Sequence, residues 1–311
     1  FSLGRAIEAK TKGIWVWPRP HPDNDKYLLL LDTEGLGDVQ KGDEHHDMWI
    51  FVMAVLMSTT LVWNIMGVLD HNSFEQLNFI TNITEHVQTK NTQPENEQEL
   101  EVNDYFPNFI VCIRDFTLEL VLNETRCTAD EYMEHSLNPP KNEELRKQRE
   151  KLCTYLKNRK CFVFQRPVDE DNLKNLENVA DDKLRPSFLD AAKEFKEYVL
   201  QTSTVKQINS ITLTGPSFLT LVEEYVSNSN NPKFKLCIES TLTHVVNTSN
   251  KRAKDEAIDS YNKNMESIKT RFPLPVQELC TLHEDYFHAA MELFNQKSVL
   301  DREKTHIKEL K

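Results

Sequence analysis

The run Tyr27-Leu28-Leu29-Leu30-Leu31-Asp32-Thr33-Glu34-Gly35 constrains the fold more than any other part of the chain. Its first five residues are apolar without alternation, the pattern of a strand buried on both faces of a parallel sheet. The apolar stretch stops at Asp32, so a carboxylate stands at the carboxyl end of the strand, and Gly35 follows where a ligand can approach the backbone closely. In open α/β sheets that edge is where ligands bind. An aspartate there suits a water-mediated grip on Mg2+, and the Gly35 amide suits a terminal phosphate. The glycines at 35, 37 and 42 lack the spacing of a dinucleotide fingerprint.

Two further uninterrupted apolar runs read the same way: Phe109 to Ile113, ending in Arg114-Asp115, and Cys161 to Phe164, ending in Gln165-Arg166-Pro167. Asp115 offers two oxygens that fit the N1 and N2 hydrogens of guanine, a donor pair adenine lacks; Arg114-Asp115 equally suits an ion pair that caps a strand. Ile14 to Trp17 is a short β-prone run that can join Tyr27–Leu31 as a hairpin through His21 to Asp25, leaving Thr11 at the mouth of the sheet. Helical spacing marks residues 72–89, 143–157 and 186–201. Strand and helix alternate, which predicts an α/β domain with a mostly parallel central sheet.

Met48 to Leu69 carries no formal charge over 22 residues, enough to cross a bilayer by length. The acidic residues before it, Asn64 within it and the lack of a flanking Lys/Arg cluster favour a division. A helix over 47–57, a break at Ser58-Thr59-Thr60 and a buried strand over 61–65 are expected instead. Residues 38–47 read as a polar loop in which His45 and His46 are solvated, and 91–104 as an acidic, wet insertion.

Beyond residue 208 the pattern turns helical. Gly215-Pro216 opens a helix with Phe218, Leu219, Val222 and Val226 on one face. Two long helices follow over 233–271 and 276–311, the second with Val276, Leu279, Leu282, Phe287, Ala290, Met291 and Phe294 as core. The formal net charge of −12 argues against a nucleic-acid groove binder. Six cysteines without a C-x-x-C pair read as reduced thiols.

In combination these motifs are more specific than any one alone. The sequence resembles the guanylate-binding proteins, interferon-inducible large GTPases of the dynamin superfamily. The matching segments are F-S-L-G at 1–4, T-K-G-I-W at 11–15, L-L-D-T-E-G-L-G-D-V at 30–39, W-I-F at 49–51, R-D-F at 114–116, C-F-V-F at 161–164, R-P-V at 166–168 and G-P at 215–216. The resemblance implies a GTPase domain over 1–208 and the start of an elongated helical domain over 209–311. It implies GTP as substrate with Mg2+ as cofactor, Thr11 and Asp32 at the metal, and Thr11 and Glu34 in catalysis, Glu34 organising the attacking water. Leu3, Gly4, Thr11, Asp32, Thr33, Glu34, Gly35, Leu36, Arg114 and Asp115 would hold the nucleotide, the last two reading the base. A nucleotide-dependent homodimer, a cytoplasmic location with access to intracellular membranes and a role in innate immunity are implied as well. The sequence given contains no G-x-x-x-x-G-K-[ST] loop, and the loss of four charge-assisted hydrogen bonds costs roughly 6–12 kcal/mol. GTP binding by this polypeptide is therefore expected to be negligible. Ala9 stands where many relatives have a serine of the catalytic water network, which leaves a non-hydrolysing scaffold protein as the alternative.

Overall fold

The computed structural model describes residues 11–22, 25–35, 44–70, 73–74, 77, 87–88, 105–138, 142–173, 175–209, 211–229, 236–299, 306 and 308. Leu3, Gly4 and Leu36, together with the 91–104 insertion, lie outside the described residues. The chain divides into two compact units, the main change falling after Lys206.

The first unit opens on a hairpin of β1 (Ile14–Pro20) and β2 (Tyr27–Thr33), in register from Ile14 opposite Thr33 to Pro20 opposite Tyr27. The expectation of a doubly buried parallel strand at Tyr27–Leu31 is corrected here. Among the described residues β2 pairs only with β1, antiparallel, and Tyr27, Leu29 and Leu30 are exposed. A run of leucines records apolarity, but it carries no information about which neighbours are present to cover it.

From β2 the chain enters α1 (Glu44–Met57) and then β3 (Thr60–Met66). The uncharged stretch thus divides at Ser58-Thr59, and among the described residues no helix is long and apolar enough to cross a membrane. Every residue from Met48 to Met57 is buried, which explains why this helix shows no polar stripe. Its first turn takes in residues 44–47, so the predicted loop ends earlier than its sequence indicated.

β3 pairs in parallel with β4 (Asn108–Arg114), which pairs in parallel with β5 (Arg159–Val163). β4 is central, and Phe109 through Ile113 are all buried. One of its faces, with Ile110 and Cys112, joins Phe162 and Phe164 and packs under Phe188, Ala192, Phe195 and Val199 of α4 (Pro186–Thr202). Between the strands run α2 (Ala129–Leu137) and α3 (Glu143–Tyr155). α2 starts on a full capping box, Thr128 with Glu131, that satisfies two otherwise orphaned amides. All six cysteines are free, and burial pushes the thiols of Cys112 and Cys161 up to about 12.

The helix expected over 72–89 does not reach its predicted end, because Val87-Gln88 is extended; residues between are mostly outside the description. In the second unit α5 (Gly215–Ser229) buries Ser217, Leu221 and Tyr225, while Leu219 and Val226 are exposed, which corrects the predicted face. α6 (Ile238–Ser267) and α7 (Val276–Lys297) pack antiparallel through Ala253, Ala257, Ala290 and Phe294. Asn250 closes the pair by bonding both the carbonyl and the amide of Val299. α7 therefore stops at Lys297 and does not continue through 311, and Val276, predicted as core, is 77% exposed.

Candidate functional site

The hairpin register brings Thr11 and Gly13, which precede β1, alongside the end of β2 and the residue that follows it. Gly13 has φ +70°, a backbone state that costs other residues a Cβ clash. The turn lets Gly13 and Glu34 exchange bonds: the Glu34 amide donates to the Gly13 carbonyl at 2.8 Å, and the Gly13 amide donates to Glu34 Oε2 at 2.9 Å. Thr11 Oγ1 donates to Asp32 Oδ2 at 2.8 Å. Glu34 is 3% exposed, and its Oε2 also lies 3.3 Å from His46 Nε2 in the first turn of α1.

Thr11, Asp32 and Glu34 therefore form one cluster with Gly13 and His46. A hydroxyl and a carboxylate in contact are the oxygen donors that a hard divalent cation prefers, so the pair fits Mg2+. Thr33 ends β2, opposite Ile14. Gly35 follows exposed, with no heavy atom within 4 Å of where a Cβ would stand, so its backbone is open to a ligand.

Arg114 and Asp115 form a second group at the end of β4. The Arg114 carbonyl accepts from the Gly67 amide at 2.8 Å, and its side chain is exposed. Asp115 adopts φ 54°, and the chain re-enters the core at once, with the Phe116 amide donating to the Phe164 carbonyl at 3.0 Å. That turn leaves the Asp115 carboxylate partly exposed, 3.4 Å from Arg166 Nε, while Arg166 Nη1 holds Glu170 at 2.9 Å. No hydrogen bond joins the two groups among the described residues.

Sequence reasoning nominated Thr11, Asp32, Glu34, Arg114 and Asp115 but missed Gly13, His46 and Arg166 as their neighbours. Gly13 had a signal, a glycine immediately before a β-prone run. His46 had one only if the first turn of α1 is recognised in Glu44-His45-His46-Asp47.

The N-terminal domain model of the guanylate-binding proteins matches residues 1–208 and the C-terminal domain model matches 209–311. The chain belongs to the guanylate-binding protein family. It is 38% identical to mouse guanylate-binding protein 7, covering 100% of this chain and 50% of that protein. It is 36% identical to human guanylate-binding protein 1, over 100% of this chain and 54% of the relative, and 36% identical to human guanylate-binding protein 2, over 97% and 52%. This guanylate-binding protein sequence thus spans about half the length of the curated relatives it matches.

Proposed function

We propose that this chain is the nucleotide-binding part, with the first helices of the following domain, of a large GTPase that binds and hydrolyses GTP. The single observation that carries the reading is the Thr11–Asp32 contact beside the buried Glu34. Thr11 and Asp32 would hold Mg2+, which when bound neutralises developing phosphate charge. The Gly35 backbone would meet the terminal phosphate. Glu34, fixed by the Gly13 amide and His46, would orient the attacking water, an arrangement whose value lies in preorganisation. Arg114 and Asp115 would read the guanine edge. Nucleotide-dependent homodimerisation, a cytoplasmic location with access to membranes and a role in innate immunity belong to the same proposal and rest on the family.

The test is GTP turnover by the full-length protein carrying these residues, beside its Glu34→Gln variant. Loss of turnover in the variant with GTP affinity retained supports the reading. Equal turnover in both removes Glu34 from it.

A second reading, a non-hydrolysing scaffold, is favoured by one contact: the Asp115 carboxylate is already engaged by Arg166. Calorimetry of the full-length protein with a GTP analogue distinguishes the two, since tight, guanine-selective binding counts against the scaffold.

A further inference from the structure

Arg149 lies midway along α3 and is 8% exposed. Its guanidinium carbon sits 3.4 Å from the centroid of the Phe74 ring, and Phe74 leans on Trp63, which stacks on Phe109. Nη1 is buried with no hydrogen-bond partner, and no ion pair to Arg149 occurs among the described residues. Three other arginines of this unit show what is missing. Arg159 holds Glu134 through two bonds of 2.6 and 2.8 Å, Arg166 holds Glu170, and Arg185 holds Asp169. Of the α3 carboxylates whose side chains are described, Glu150 is engaged with Arg146 and Glu143 with Lys147. Burial pushes the Arg149 guanidinium down from its ordinary value, with only the Cys153 thiol one turn away acting against it.

A buried guanidinium with no counter-charge is costly to a fold, whereas a paired one is tolerated. Native structures rarely leave a buried donor unanswered without a reason. Stacking on Phe74 occupies one face of the planar group, which leaves the in-plane N–H fork, the geometry that receives two oxygens of a carboxylate or phosphate. We propose that Arg149 is the cationic floor of an anion-binding site that takes a single small oxyanion, a carboxylate or a phosphate group. The site is separate from the cluster around Asp32 and does not depend on the nucleotide reading.

The experiment is thermal unfolding of this chain while inorganic phosphate or acetate replaces chloride at constant ionic strength, for the wild type, Arg149→Met, Arg149→Lys and Asp32→Asn. The wild type and D32N are expected to show a saturable rise in Tm. In R149M the half-saturating concentration rises about tenfold or more, as the loss of one charge-assisted hydrogen bond implies. R149K, which keeps the charge without the planar fork, is expected to lie between them and serves if R149M does not fold. A response to phosphate alone assigns the site to phosphate groups; a response to acetate as well assigns it to carboxylates too. No saturable response in the wild type overturns the proposal. So does an unchanged response in R149M or in R149K, or a response abolished by D32N and kept in the Arg149 variants.

Discussion

Thr11 Oγ1 donates to Asp32 Oδ2 across 2.8 Å, joining residues 21 positions apart at the open end of a hairpin. The bond holds the aspartate in one orientation before any ligand arrives, so each residue fixes the position of the other. Removing either one costs about 0.5–1.5 kcal/mol of stability through the hydrogen bond alone. In the full-length protein, Thr11→Ala and Asp32→Ala are expected to lower Mg2+-dependent GTP affinity by about tenfold or more. Calorimetry with and without Mg2+ measures this, and an affinity unchanged in both variants would remove the pair from the proposed metal site.

Gly13 has φ +70° and open space where a Cβ would be, so alanine there pays for conformation and not for a clash. Gly13→Ala is expected to destabilise by about 1–2 kcal/mol, the cost of a left-handed backbone in an L-residue. Because the Gly13 amide also aligns Glu34, turnover by the full-length variant should fall while GTP affinity holds. A denaturation curve beside a kinetic assay separates the two effects.

His46 stands 3.3 Å from the Glu34 oxygen that also accepts the Gly13 amide. In the full-length protein, His46→Ala removes one of the groups that hold this carboxylate and is expected to lower kcat about fivefold with KM little changed, the signature of about 1 kcal/mol lost from alignment. His46→Gln retains a donor and should recover most of the loss. Equal values for the alanine and glutamine variants would show that His46 acts only through packing.

Lys206 donates to the Ser58 carbonyl at 2.8 Å, and burial pushes its ammonium down from 10.5 to about 8. Between those values the unfolded chain holds a proton that the folded chain has released, so folding stability rises as pH rises from about 8 towards 10.5 and is lowest below that window. The full span is about 3–4 kcal/mol. Denaturant titrations at pH 7 and pH 10 measure it. Lys206→Met should flatten the dependence, and an unchanged slope in that variant would assign the rise to other groups.

The parts of the fold that were legible in the sequence are those whose signal is local. Phe109 to Ile113 is buried as a run because both faces of a central strand are covered, and Ser58-Thr59 breaks α1 from β3 with residues that favour the break. The α5 face was misjudged because polarity hid a buried position: Ser217 Oγ accepts from the Thr214 amide at 2.7 Å, so its hydroxyl is satisfied and can face inward while Leu219 faces out. The end of α7 was invisible for a similar reason, since Ser298 caps it without glycine or proline. At the site, Thr11, Asp32 and Glu34 could be named from motifs. Their contacts with Gly13 and His46 could not, because one depends on a left-handed turn and the other on which way the first turn of α1 faces. Arg149 gave no signal at all, since a basic residue in a charged helix reads as solvated until its surroundings are known.

β2 and β3 are each seven residues long, and among the described residues each has a strand on one side only. Within the described residues the other margin of each carries main-chain donors and acceptors bordered by leucine, valine and tryptophan, the kind of edge along which a second copy of this chain can pair. Like-charge repulsion between copies, which a net charge of −12 provides, weakens as salt is added. The colloidal behaviour of this polypeptide should accordingly turn on ionic strength, with clear solutions in dilute buffer and sheet-rich association once screening lets the margins meet.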